Sequence, residues 1–286
     1  MIQIEALSFG YRGTQLYRDF SISLDRPGVY GLFGRNGSGK STLLKLLAGL
    51  LFPRHGRVRV LGREPRHRHP DFLAQVMLVP EEFHLPDLSP GALLRTHAIF
   101  YPRFSGEAFQ AYLDQFELER SRRFGQMSLG QKKKAAMAFA LASFTPLLLL
   151  DEPTNGLDIV GRDQFRAIMA RPEQRERLVL ISTHQAHDLE RVLDHLVFVD
   201  AANLALSAPM AELECALNVG VADSPEALAA IPGVIHHEPM GQQQAYVAAN
   251  TGDGPGSIQL ELLYKALSLN KPGVLDALAR REVRNV

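Results

Sequence analysis

An α/β fold with a mainly parallel sheet is what the sequence predicts, and three observations predict it. A glycine-rich stretch, GRNGSGKS at residues 34–41, lies between the apolar run GVYGLF and the helical pattern TLLKLLAGLL. Two further runs, LLLLDEP at 147–153 and RLVLISTH at 177–184, are short, continuously apolar and end in polar residues, as strands covered on both faces of a parallel sheet do. Helix-spaced segments separate these runs, which is the alternation that crossover connections require.

The elements follow in order. IQIEALSF, DFSISL and GVYGLF alternate apolar stretches with Gly, Asp and Pro, and read as strands leading into the glycine-rich loop. The helix after the loop is expected to run to about Leu50. RVRVLG is a strand, REPRHRHPDF a polar, proline-bearing loop, and AQVMLVP the next strand. From Ser89 to about Ser143 the text turns helical, in SPGALLRTHAIFY, GEAFQAYLDQF and LGQKKKAAMAFALASF. After LLLLDEP come a helix near 160–170, the strand RLVLISTH, a helix over HDLERVLD and a final strand HLVFVD. Beyond Ala208, strands NVGVAD and QAYVAA flank the helical SPEALAAI, and GDGPG is a linker before the helical SIQLELLYKAL.

Length and composition bound the rest. A chain of 286 residues has room for one large α/β domain and an appendage, or for two ordinary domains. Lys+Arg and Asp+Glu both number 31, so no overall field points to nucleic acid. A single cysteine, Cys215, excludes an internal disulfide framework and a cysteine zinc cluster, and agrees with a reducing compartment. No apolar run reaches the ~18 residues that a membrane-spanning helix needs. The start, MIQIEALSFGYRG, lacks the basic-then-apolar layout of a secretion signal, so a cytosolic location is expected.

GRNGSGKS fits the phosphate-binding pattern G-x-x-x-x-G-K-[ST] in its strand-to-helix setting. Such a loop turns several backbone N–H groups into one concavity at a helix N-terminus, whose dipole also favours anions. Lys40 can then reach β- and γ-phosphates, and the Ser41 hydroxyl suits Mg²⁺. The DE pair of LLLLDEP completes a triphosphatase site: Asp151 can hold Mg²⁺ through water and Glu152 can polarise an attacking water.

With these motifs the chain resembles the ATP-binding cassette (ABC) ATPases. MSLGQKKK (127–134) resembles the family signature LSGGQ, NGLD (155–158) follows DEPT as the D-loop does, and STH (182–184) resembles the switch histidine segment. The resemblance covers roughly residues 1–205. It implies a P-loop NTPase core with a mainly parallel sheet, an antiparallel β subdomain and an inserted helical subdomain at about 86–143; the segments beyond Ala208 add a small C-terminal α+β appendage. The domains would be 1–208, the ATPase, and 209–286, regulatory or dimer-stabilising.

The same resemblance implies ATP and Mg²⁺ as cofactors. The nucleotide would sit on Gly34, Arg35, Asn36, Gly37, Ser38, Gly39, Lys40, Ser41 and Thr42, with Tyr11 stacked on adenine; Phe9 and Tyr17 compete for that role. Ser41 and Asp151 would hold the metal, and Glu152, His184 and Lys40 would carry catalysis. Glu81 takes the Q-loop position, where glutamine is usual, with Glu82 and Gln75 nearby. A head-to-tail dimer would bring Ser128, Leu129, Gly130 and Gln131 onto the partner's ATP, with Asp158 organising the seam. Leu129 replaces the usual glycine. Read alone, SLGQ is an N-cap and first turn. The segment 54–69, with six arginines, three histidines and one acid, Glu64, reads as a solvated loop or as a phosphate- or partner-facing patch.

For function, the resemblance implies an ATP-hydrolysing subunit that powers a transporter through a separate transmembrane permease, held at the inner face of the cell membrane, with a second copy or a homologous ATPase as partner and no nucleic acid. The alternatives are a soluble non-transport ABC ATPase and a nucleotide-dependent regulatory module. A single cassette, no zinc cysteines, no long coiled coil and an intact Asp151–Glu152 pair weigh against them. VPEE, FYPRF, LGQKKKA and STHQAHDLE look most like the exporter-type, ABC-2-like branch.

Overall fold

The computed structural model describes residues 1–184, 189–252 and 254–284. Its strands are β1 (Ile2–Tyr11), β2 (Thr14–Leu24), β3 (Gly28–Phe33), β4 (His55–Val60), β5 (Val76–Val79), β6 (Leu147–Asp151), β7 (Leu178–Thr183), β8 (His195–Asp200), β9 (Asn203–Pro209), β10 (Leu217–Ala222), β11 (Val234–Met240) and β12 (Gln243–Ala249). The helices are α1 (Lys40–Leu47), α2 (Pro70–Leu73), α3 (Pro90–His97), α4 (Gly106–Gln115), α5 (Leu129–Ala142), α6 (Ile159–Met169), α7 (Met210–Ala216), α8 (Pro225–Ala229), α9 (Leu260–Leu269) and α10 (Lys271–Arg284).

The main sheet has the order β5-β6-β7-β3-β8-β9, parallel from β5 to β8 and closed by an antiparallel β9. Strand side chains alternate between faces, so a run apolar at every position must be covered twice. β6 shows this: Leu148 and Leu150 face a cluster with α5 and α6, while Leu147 and Leu149 face one with α1 and the β2-β1-β4 sheet. The carboxyl ends of β3, β6 and β7 thereby bring Phe33, Asp151 and Thr183 to one rim. Helix α1 stops at Leu47, earlier than expected, because Gly49 at φ 69° allows a Schellman closure, with Leu50 N–H on Lys45 O (2.8 Å) and Gly49 N–H on Leu46 O (3.1 Å).

Between β5 and β6 lies the helical block, α3 to α5, its rings Phe104, Phe109 and Phe139 packed at 4.8–5.9 Å between centroids. After β9 a second antiparallel sheet, β10-β12-β11, is backed by α9 and α10. Leu260, Leu263 and Leu267 belong to the same hydrophobic cluster as Leu196 and Phe198 of the main sheet, and Tyr264 meets Phe198 edge to face at 5.2 Å.

Several expectations need correction. The helix over HDLERVLD falls partly outside the described residues, at His187 and Asp188; Leu189–Val192 form turns, and Leu193 and Asp194 lead into β8 without helix. The start of β3 claims this stretch. Asp194 accepts from Val29 N–H through Oδ2 (2.9 Å) and donates its own N–H to Val29 O (2.8 Å), which is incompatible with a continuing helix. HLVFVD is not the final strand of its sheet: Ala201 and Ala202, both at positive φ, make a two-residue hairpin turn into β9. The expected loop REPRHRHPDF contains a 3₁₀ turn, Pro65–His67, and the short α2, both opened by a proline at the first helical position. Strand β11 and helices α7 and α10 were not anticipated.

Candidate functional site

The GRNGSGKS segment links β3 to α1 as an open loop ending at Gly39, whose φ of 104° is closed to ordinary side chains. Space enforces the same choice, since a Cβ there would lie 2.5 Å from the Tyr17 hydroxyl. Tyr17 is fully buried beneath the loop, and Phe9 is buried in the core. Neither can therefore stack on a ligand. Tyr11 is half exposed, stands edge to face with Phe9 at 5.2 Å, and shares a hydrogen bond with Thr42 Oγ1 at 3.2 Å.

Lys40, the first residue of α1, folds its ammonium back over the loop and donates to Gly34 O (2.9 Å) and Arg35 O (3.3 Å). Two of its three protons are thus placed, leaving one for a ligand. Burial holds its pKa below the usual lysine value, and Glu152, Asp151 and Glu81 pull it back up. Ser38 is buried with a hydroxyl that has no hydrogen-bond partner among the described residues, while Arg35, Asn36 and Gly37 are exposed at the loop tip.

At the sheet rim, Asp151 Oδ1 accepts from Ser41 Oγ (3.0 Å) and from Ser182 Oγ on β7 (2.5 Å). The donor set of Ser41 and Asp151 consists of hard oxygens side by side, which suits a small divalent cation completed by phosphate and water. No cluster of three acidic, His or Cys ligands exists among the described residues, as such a shared site requires none. Glu152 follows in the left-handed region at φ 45°, a conformation costing about 1–2 kcal/mol for a residue with a side chain. Its Oε1 lies 2.9 Å from His184 Nδ1, and its buried Oε2 has no hydrogen-bond partner among the described residues. That orphan oxygen is a fitting acceptor for a water proton.

Together, Tyr11, Asn36, Gly37, Gly39, Lys40, Ser41, Thr42, Glu81, Glu152 and His184 line one cleft of about 550 Å³. Glu81 accepts from Asn155 Nδ2 at 2.8 Å, whereas Gln75 turns its amide to Asp71 O. Thr14, Leu16 and Asn155 also line the cleft and were not anticipated; only Asn155, directly after DEPT, carries a sequence signal. Ser182 was missed too, although it is the first polar residue to interrupt RLVLI.

The signature residues do not line this cleft. Ser128 caps α5 in a capping box: its Oγ accepts from Gln131 N–H (3.2 Å) and Gln131 Oε1 accepts from Ser128 N–H (3.0 Å). Leu129 and Gly130 border a second cleft of about 200 Å³ with Glu81, Glu82, Lys133, Asn155 and Gly156. Leu129 points outward, 69% exposed, and Ile159 and Val160 are exposed beyond Asp158. Asp158 caps α6 through Gly161 N–H (2.8 Å), and that bond, with Lys134 nearby, holds its carboxyl below the usual range. Within the arginine-rich segment Glu64 meets Arg66, His67 and Arg57, while Arg63 meets Asp71 and Arg68 donates to Gly49 O outside it.

A family profile described as ABC transporter matches residues 17–155. The ABC transporter ATP-binding protein YtrB of Bacillus subtilis is 28% identical over 216 residues, 75% of this chain and 74% of that protein. The Nod factor export ATP-binding protein I of Burkholderia orbicola is 32% identical over 225 residues, 74% of this chain and 72% of the relative. Among solved structures, an ATP-binding subunit of an ABC transporter superposes with a TM-score of 0.67 at 27% identity, covering 75% of this chain and 92% of that one.

Proposed function

This chain belongs to the ABC transporter family, and from that premise we propose that it is the ATP-hydrolysing subunit of an exporter whose membrane-spanning part is a separate polypeptide. The observation that carries the reading is the convergence of Lys40, Ser41, Glu152 and His184 on one cleft from three strand ends, with Asp151 hydrogen-bonded to Ser41. No helix among the described residues is long and apolar enough to cross a membrane, so a permease would have to supply the path. Export is taken from relatives named for Nod factor export and for bacitracin transport.

The chemistry is in-line attack of water on the γ-phosphorus of ATP, with cleavage of the bond to the β-γ bridging oxygen. Loop amides and Lys40 face the phosphates and stabilise charge as it spreads over them. Glu152 Oε2 receives the water proton while Oε1 stays on His184, which fixes the carboxylate's orientation. Ser41 and Asp151 would hold Mg²⁺, which when bound neutralises phosphate charge. Tyr11 offers its exposed ring to adenine. In a head-to-tail pair, Ser128 would present its hydroxyl proton, which the capping box leaves free, to the partner's γ-phosphate. Leu129, Ile159 and Val160 would then meet the opposing subunit, and Asp158 would order the turn between them. Residues 1–208 form the ATPase in this reading, and 209–286 an attached regulatory or dimer-stabilising element.

Glu152→Gln tests it. The variant should bind ATP, accumulate dimer with ATP by gel filtration, and hydrolyse about 10²–10⁴-fold more slowly, the usual contribution of a general base. Near-normal turnover removes Glu152 from the role, and a monomer with ATP removes the paired site.

A further inference from the structure

Three lysines follow the SLGQ turn, and the middle one is buried. Lys133 on α5 is 3% exposed, and its ammonium donates to the main-chain carbonyls of Glu152 (2.5 Å) and Asn155 (3.0 Å). An ammonium removed from water needs such acceptors, so the contact fixes both partners. Burial lowers its pKa, with Glu81 and Glu152 opposing.

Both acceptors belong to the turn that carries the candidate base. Glu152 sits at φ 45° and persists there only because its surroundings over-determine it. Its N–H is pinned to Ser182 O at 3.0 Å, and Lys133 pins its carbonyl. Asn155, held by the same ammonium, passes its side-chain amide to Glu81. The signature turn leans on the same segment, since a Cβ on Gly130 would stand 3.0 Å from Gly156 O. Helix α5, which carries Ser128 at its start, is therefore fastened to the residue that faces the chain's own nucleotide.

We propose that Lys133 is a positioning residue for Glu152, transmitting the placement of the signature helix to the main chain of the base. The turn that meets one nucleotide thereby sets the base that acts on the other. The inference rests on the reading of Glu152 as general base.

ATP hydrolysis, ATP binding and melting temperature are measured on full-length wild type, K133M, K133Q and K133R. K133M and K133Q should lose about 10²-fold in kcat, the cost of a misplaced catalytic group. KM should stay within about threefold, since the lost interaction acts on the transition state. K133R, which keeps donors, should recover most of the rate. In an E152Q background, K133M should leave the ATP-driven dimer intact, because the group it positions is already disabled. Wild-type kcat in folded K133M or K133Q overturns the inference, as does an effect on KM alone or loss of the dimer in the double variant. If K133M does not fold, K133R must exceed K133Q in kcat at equal melting temperature, and equality overturns the inference. Absent ATPase in wild type, or full activity in E152Q, defeats the reading of Glu152 instead.

Discussion

Ser128 is asked to do two things, and a pair of substitutions separates them. As N-cap it accepts from Gln131 N–H at 3.2 Å, and removing that acceptor as Ser128→Ala should cost about 1 kcal/mol, whereas Ser128→Gly should cost only a few tenths. In a chain of this size, 1 kcal/mol corresponds to a melting shift of about 2–4 °C, so Ala should melt visibly lower and Gly nearly as wild type. The phosphate contact scales differently. A hydrogen bond to a charged group contributes about 1.5–3 kcal/mol, and both variants lose it in full. At about 1.36 kcal/mol per decade, kcat/KM for ATP should fall roughly 10- to 100-fold in each. The assay is steady-state ATPase beside thermal melting, with gel filtration in ATP on the Glu152→Gln background. Activity that follows the melting order, with Ser128→Gly close to wild type, refutes the contact and leaves Ser128 a helix cap alone.

Other outcomes follow from single features. Tyr11→Ala should weaken ATP affinity about tenfold through the lost stacking surface, and Tyr11→Phe should change it little, because among the described residues the hydroxyl reaches only Thr42; equilibrium binding checks both. Burial lowers the His195 pKa from 6.5 to about 4, so this imidazole is neutral in the fold, stacked on Tyr30 and bonded to Ser207. The unfolded chain binds that proton first, so the stability His195 contributes is fully present above pH 6.5 and is lost as pH falls toward 4. Melting temperature should therefore decline less between pH 7 and 4 in His195→Gln than in wild type, and parallel curves would exclude the effect.

The site was legible where chemistry and backbone demands coincide in sequence. GRNGSGKS and LLLLDEP announce themselves because a phosphate loop needs glycine and a doubly covered strand needs unbroken leucine. Tyr11 was not separable from Phe9 and Tyr17, since only the fold decides which ring is buried. Lys133 was invisible for a related reason: in KKK every residue reads as solvated surface, and helix phase alone turns one inward. The Glu152 conformation left no trace, because glutamate gives no local sign of positive φ. Strand β11, VIHHEPM, mixes histidines and a proline with its apolar residues and has no fully buried residue, so no alternation marks it. Helix α10 is rich in charge and begins KPG, which reads as a turn.

The hydrophobic cluster on one face of the main sheet runs without a break from Leu93 in the helical block through Phe198 to Leu278 near the end of the chain. The proposed boundary at residue 208 is therefore not a boundary in the core. A chain cut after residue 208 would lose the cover over Leu196 and Phe198 and expose apolar surface on β8, inviting self-association. Calorimetry of the intact chain should show one transition spanning both sheets, with the 209–286 element melting as part of the ATPase and never ahead of it.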